Sequence, residues 1–189
     1  MVNRNSTPNC FIWEAALATS AAPTFFKRIH IGKPKVGYLD AGLGYNNPVQ
    51  QVFDEARSIF DHKRKVACIL SLGTGEVDTQ AYAKPGILER RLPIKLIKVL
   101  QRIATNSGTA AETFARRFEY TPGVYFRFNV PRVVGNLPME EWRPLPTIAA
   151  LTSTYMRETW VSKEIDRVVD VLVNPMGKGV VLGTAGMQA

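Results

Sequence analysis

The rhythm of apolar and polar positions changes several times along this chain, and each change predicts an element. Thr7-Pro8 starts a helix with proline at its first position, and Phe11, Ile12, Ala15, Ala16 and Thr19 then form a one-sided stripe that Pro23 ends. The Ala-rich run 15–22 suits close packing by a neighbour. Thr24-Phe25-Phe26 predicts a short extended piece, the basic stretch 27–37 an exposed excursion, and residues 36–39 a strand re-entering the core. Asn47-Pro48 opens a second helix, with Asn47 as cap, Pro48 at the first position and Gln50 reaching back as a capping-box partner. Val49, Val52, Phe53, Ala56, Ile59 and Phe60 fall on its apolar face.

Beyond the charged turn 61–65 the period is lost. Val66-Ala67-Cys68-Ile69-Leu70-Ser71-Leu72 is an unbroken apolar run ending at Gly73-Thr74-Gly75. Such a run predicts a central strand in a sheet covered on both faces. With 36–39 as first strand and 49–60 as crossover helix it makes a βαβ unit, and an α/β fold with a mostly parallel sheet follows. Residues 87–107 read as helical, with Pro93 as a new start. Ala111, Phe114, Ala115 and Phe118 extend the helical period past Gly108, and 124–130 reads as a strand. Helices over 147–155 and 163–172 follow, the latter with Ile165, Val168, Val169 and Leu172 as its stripe. The expected organisation is one domain over 1–175 and a loosely held tail over 176–189, which is polar apart from Val180–Leu182.

Composition narrows the class without naming a chemistry. A chain of 189 residues with 46% hydrophobic content is long enough for one full core. No stretch nears the roughly 20 apolar residues that span a bilayer, and residues 1–10 lack the pattern of a secretory signal. Cys10 and Cys68, isolated in apolar contexts, read as buried thiols in a reducing compartment, which places the chain in the cytoplasm or peripherally at membranes. The formal charge of +8 fits either a solvated basic surface or attraction to an anionic one. Aromatic–basic alternation is confined to Tyr125-Phe126-Arg127-Phe128, which a strand explains, so nucleic acid is not an expected partner. Residues 84–102 hold six Lys or Arg against Glu89 alone. They form either a core helix with snorkelled charges or a helix resting on an anionic membrane surface.

Candidate chemistry centres on Asp40. The hydrophobic pair Tyr38-Leu39 delivers this carboxylate into the turn Ala41-Gly42-Leu43-Gly44, just ahead of Asn47-Pro48. It either fixes the turn through backbone hydrogen bonds or serves as a general base beside a pocket. Gly42 and Gly44 would let the chain double back tightly. A matching nucleophile is missing: Ile69 stands where an elbow at Ser71 needs glycine, Ser20 has no flanking glycines, and no Gly-x-Ser-x-Gly occurs in the chain. His30 and His62 are too solitary for a metal site or a triad. Gly73-Thr74-Gly75 lacks the Lys-Ser/Thr ending of a phosphate loop and reads as a structural turn. No cofactor or metal is expected.

The blocks 11–26 (Phe-Ile-Trp-Glu-Ala-Ala-Leu-Ala-Thr-Ser-Ala-Ala-Pro-Thr-Phe-Phe), 38–49 and 69–75, in this order, resemble the patatin-like phospholipase family, especially its fungal multidomain branch. The resemblance implies a three-layer α/β sandwich and a Ser–Asp dyad that cleaves phospholipid or acylglycerol esters. Asp40 matches the dyad aspartate, with Ala41, Gly42, Gly44, Asn47 and Pro48 as its supporting motif. In that family the nucleophilic serine and a glycine-rich oxyanion loop precede the block at 18–23. The chain therefore looks like the C-terminal part of a catalytic domain, incomplete at its N-terminus and inactive alone. The alternative is a non-catalytic module that keeps the half-fold and binds lipid surfaces or a protein.

Overall fold

The structure, a computed structural model, describes residues 9–23, 25–75, 107–131, 143–175 and 179–183. In chain order the elements are α1 (Ile12–Thr19), β1 (Ile29–Ile31), β2 (Val36–Tyr38), α2 (Gly42–Tyr45), α3 (Val49–Ile59), β3 (Lys65–Val66) and β4 (Ile69–Leu72). Then come α4 (107–116), β5 (Tyr125–Phe128), α5 (Leu145–Met156), α6 (Thr159–Val173) and β6 (Val180–Val181). The helix expected over 87–107, with its basic residues, lies outside the described residues except at Ser107.

The fold is α/β, built on small sheets of both kinds. β4 and β5 pair in parallel, with Ser71 opposite Arg127, whereas β1–β2 and β3–β6 are antiparallel pairs. Side chains on β5 alternate between two apolar clusters, as the two-residue period of a strand requires. Tyr125 faces Val49 and Phe53 of α3, Phe114 of α4, and Phe118, Val124 and Leu182. Phe126 and Phe128 face Val168 and Val171 of α6. Helices thus flank β5 on both of its faces.

The first cluster is the denser. Phe114 and Leu182 are each 1% exposed. Phe114 meets Phe53 edge-on at 5.6 Å between centroids and Tyr125 at 5.0 Å. Each such pair adds about 0.5–1.5 kcal/mol beyond simple burial. Gly179 sits at φ 88°, and a Cβ there would collide with the Val66 carbonyl, so glycine is what lets β6 lie against β3. That pairing carries Leu182, from the segment expected to be a loose tail, into the core.

Several expectations are corrected. Residues 36–38 pair with β1 across an antiparallel hairpin, so 36–39 is not the first strand of a βαβ unit with β4. The local basic stretch 27–37 supplies its own partner strand, which removes the need for a distant one. The run 66–72 is split at Ala67-Cys68 into strands of different sheets. Leu70 is exposed and Leu72 is 70% exposed, because α6 packs on β5 and leaves the outer side of β4 in solvent. The buried stripe of α6 is Val161, Val168 and Val171, not one through Val169 and Leu172, both exposed. Helix α1 buries none of its residues, and Ile12 is 91% exposed, so the packing neighbour expected for 15–22 is met only at the following Ala21. Thr24 is not described, and Phe25-Phe26 form a turn and bend instead of an extended piece. Cys10 is exposed; only Cys68 is half-buried.

Candidate functional site

Strand β2 ends at Tyr38, and two residues later the chain presents Asp40. Its backbone N–H donates to the Ala21 carbonyl at 3.0 Å, which ties the acid to the stretch following α1. Its Oδ1 accepts the Gly42 N–H at 2.5 Å, the local bond by which an aspartate fixes a turn. The side chain therefore does the structural work expected of the plainer reading. It also lines an open cleft of about 360 Å³, together with Thr19, Ala41, Gly42, Tyr45, Asn46, Pro48 and Gln51. A half-buried carboxylate on such a wall can meet both a hydroxyl and an ester.

The glycines work differently from expectation. Neither Gly42 nor Gly44 is among the positive-φ glycines; both lie in the short helix α2. Gly42 is needed for space, since a Cβ there would stand 2.8 Å from Asp40 Oδ1. Gly44 faces open space, so neither reason applies to it. Ala41 initiates α2 in right-handed helical geometry and lines the cleft.

Asn47 and Pro48 divide two jobs. Pro48 lines the cleft, and α3 begins one residue later than expected, at Val49. Asn47 is therefore not the cap of α3, whose N-cap is Pro48; its Oδ1 accepts the Val49 N–H at 3.4 Å, the two-residue bond of an Asx turn. It is buried and also receives the Ser71 hydroxyl at 3.3 Å, while its Nδ2 donates to the Ser107 carbonyl. Gln50 closes no capping box; its Oε1 accepts Arg117 at 2.6 Å and its Nε2 donates to Asp54.

The rejected nucleophiles are bound up in structure. Ser71 is buried, accepts Arg127 Nη1 at 2.9 Å and does not line the cleft. Ser20 Oγ donates to the Ala16 carbonyl at 2.8 Å, a helix-end hydroxyl. Gly73-Thr74-Gly75 is a turn pinned by Asn129, whose Oδ1 accepts the Gly75 N–H at 2.9 Å. A Cβ on Gly73 would run into Asn129 and Arg127. Burial pushes the Tyr125 phenol above its ordinary range, only partly offset by the nearby Ser71 hydroxyl and the Arg127 charge. The Cys68 thiol is raised by burial too. Among the described residues no group of three or more His, Cys, Asp or Glu could hold a metal.

Sequence reasoning placed Asp40, Ala41, Gly42 and Pro48 at one site and missed Thr19, Tyr45, Asn46 and Gln51. Thr19 carried a signal in its Ala-Thr-Ser-Ala-Ala context, but only the Asp40–Ala21 backbone bond brings that block to the acid.

Residues 2–53 match the family model described as "Patatin-like phospholipase". A "Calcium-independent phospholipase A2-gamma" of Oryctolagus cuniculus is 29% identical over 167 residues, covering 76% of this chain and 20% of that protein. The Homo sapiens protein of the same name matches at the same identity and coverage. A "cGAMP-activated phospholipase" of Escherichia coli (strain TW11681) is 37% identical over 82 residues, 41% of this chain and 22% of that protein. The chain spans about a fifth of the length of these relatives. No solved structure matches it.

Proposed function

We propose, from a chain that belongs to the patatin-like phospholipase family through its segment 2–53, that it forms the aspartate-bearing part of a lipid acyl hydrolase. Asp40 is the general base of a Ser–Asp dyad, and the serine comes from polypeptide outside these 189 residues. The carboxylate takes the serine proton as the oxygen attacks the ester carbonyl. The tetrahedral adduct collapses to an acyl-enzyme, and the proton passes to the departing alcohol. Water, deprotonated by the same carboxylate, then releases the fatty acid and restores the serine. The substrates are phospholipids or acylglycerols, and the 189-residue chain alone is inactive.

One observation carries this reading: Asp40 is held by Gly42 and Ala21 on the wall of an open cleft, where a second chain segment can reach it. The test is Asp40→Asn in the full-length enzyme, assayed for phospholipid hydrolysis. The amide can keep the Gly42 bond but cannot take a proton, so kcat should fall by about 10²–10⁴ with little change in melting temperature. Undiminished hydrolysis would remove Asp40 from the mechanism.

A further inference from the structure

Position 127 holds a cation where the strand pattern calls for an apolar side chain. Tyr125 of β5 faces the α3 cluster, and the two-residue period puts Arg127 on the same face. Its partner across the parallel pair is Ser71, which is buried. Arg127 Nη1 donates to Ser71 Oγ at 2.9 Å, and Ser71 Oγ donates to Asn47 Oδ1 at 3.3 Å. Asn47 is only 6% exposed. Three polar side chains therefore run in line from β5 through β4 to the residue before Pro48. Gly73 leaves the guanidinium its room, since a Cβ there would stand 2.6 Å from Arg127 Nη2. For stability alone such a chain is a poor choice, because well-packed apolar side chains hold a core as well or better. What it supplies is a fixed position for Asn47.

Asn47 closes the segment that begins at Asp40. That segment is tied at its first residue by the backbone bond from Asp40 to the Ala21 carbonyl. It then makes the single turn α2, whose first N–H, that of Gly42, holds the Asp40 carboxylate. The Gly44 and Tyr45 N–H groups both donate to the Ala41 carbonyl, at 3.0 and 2.7 Å, so the turn moves as a unit. Asn46 and Pro48, on either side of Asn47, line the Asp40 cleft. A shift of Asn47 is therefore passed through α2 to the N–H that aims the acid. We propose that Arg127 is a positioning residue for Asp40, acting through Ser71 and Asn47 to fix the far end of segment 40–47. The inference rests on the reading of Asp40 as the base of a Ser–Asp dyad. None of the three side chains lines the cleft, so their loss acts on turnover and not on substrate binding.

The test is steady-state hydrolysis of p-nitrophenyl butyrate by the full-length protein, with active sites counted by a fluorophosphonate ester so that any unfolded fraction drops out. Arg127→Met keeps the bulk and removes the donor. It should lower kcat per counted site about tenfold, leave KM within about twofold, and shift the melting temperature by less than about 4 °C. Ser71→Ala breaks the middle link and should slow turnover to a similar degree, while labelling still runs to completion. The two substitutions together should be no slower than the slower single one, since links of one chain do not act independently. Arg127→Lys keeps a donor for Ser71 and should recover kcat to within about threefold of wild type. Wild-type kcat per counted site in both single variants would overturn the proposal. So would losses that multiply in the double variant, or equal impairment by lysine and methionine at position 127. Should Arg127→Met not accumulate as folded protein, Ser71→Ala decides by the same measure. Asp40→Asn separates the two readings. An inactive Asp40→Asn beside fully active Arg127→Met and Ser71→Ala removes the positioning role alone, whereas an undiminished Asp40→Asn removes the base and the positioning role with it.

Discussion

Ser71 Oγ donates to Asn47 Oδ1 at 3.3 Å while accepting Arg127 Nη1 at 2.9 Å, so one buried hydroxyl joins the start of α3 to both strands of the parallel pair. Replacing it by alanine leaves a half-buried guanidinium and a buried amide each one partner short. Ser71→Ala should cost about 1–3 kcal/mol, read from urea unfolding. In the full-length enzyme it should leave labelling by a fluorophosphonate ester intact. Loss of labelling with no loss of stability would make Ser71 a nucleophile and overturn its structural role.

Gly42 gives a finer handle on the acid than removing it. A methyl group at this position stands 2.8 Å from Asp40 Oδ1, and the carboxylate is the group free to shift. Gly42→Ala also favours the helical geometry that α2 already has, so stability should hold within about 1 kcal/mol. With Asp40 as the proposed base, phospholipid hydrolysis by the full-length protein should drop at least about tenfold, since a displaced carboxylate loses its reach. Gly44→Ala, with open space around it, is the matched control and should be near wild type.

Phe114 is the hinge of the aromatic cluster, touching Phe53, Phe118 and Tyr125. Phe114→Ala should destabilise the chain by about 3–5 kcal/mol, a large share of the stability of an ordinary domain. Phe11→Ala, on an exposed ring, should change the urea midpoint very little. Equal effects at the two positions would contradict the described core.

Alkaline pH should weaken the fold. Burial holds the Cys68 thiol and the Tyr125 phenol above their ordinary values. Below those values both groups are neutral in folded and unfolded chains and contribute no slope. Above them the unfolded chain ionises first, so stability falls as pH rises. The Tyr125 oxygen is buried without a hydrogen bond of acceptable geometry. Tyr125→Phe should therefore be neutral or slightly stabilising at pH 7 and should flatten the alkaline decline. Urea midpoints from neutral to alkaline pH check both statements. A thiol reagent at pH 8 should modify exposed Cys10 well before Cys68.

The elements whose burial is decided locally were legible in the residues. Val49 and Phe53 of the expected α3 stripe are buried, whereas Val52, Ile59 and Phe60 of the same stripe are exposed; the period through Phe114 and Phe118 and the strand at 125–128 follow from spacing. What stayed illegible depends on which face meets a neighbour. The apolar run 66–72 cannot announce that α6 lies over β5 instead of β4, and Val36-Gly37-Tyr38 reads the same in a hairpin as in a parallel sheet. At the site, Asp40 was marked by its turn, whereas Thr19 reaches the cleft wall through a fold-level contact that spacing does not encode.

The antiparallel pairing of Lys65–Val66 with Val180–Val181 folds a late segment of these 189 residues back against an earlier one. Leu182 shares a cluster with Phe53, Phe114 and Phe118, each more than sixty positions upstream. A shortened version ending before Gly179 would consequently emerge with a hole beneath α3 and an open strand edge at Lys65. Anyone trimming this protein for expression should cut beyond Gly183.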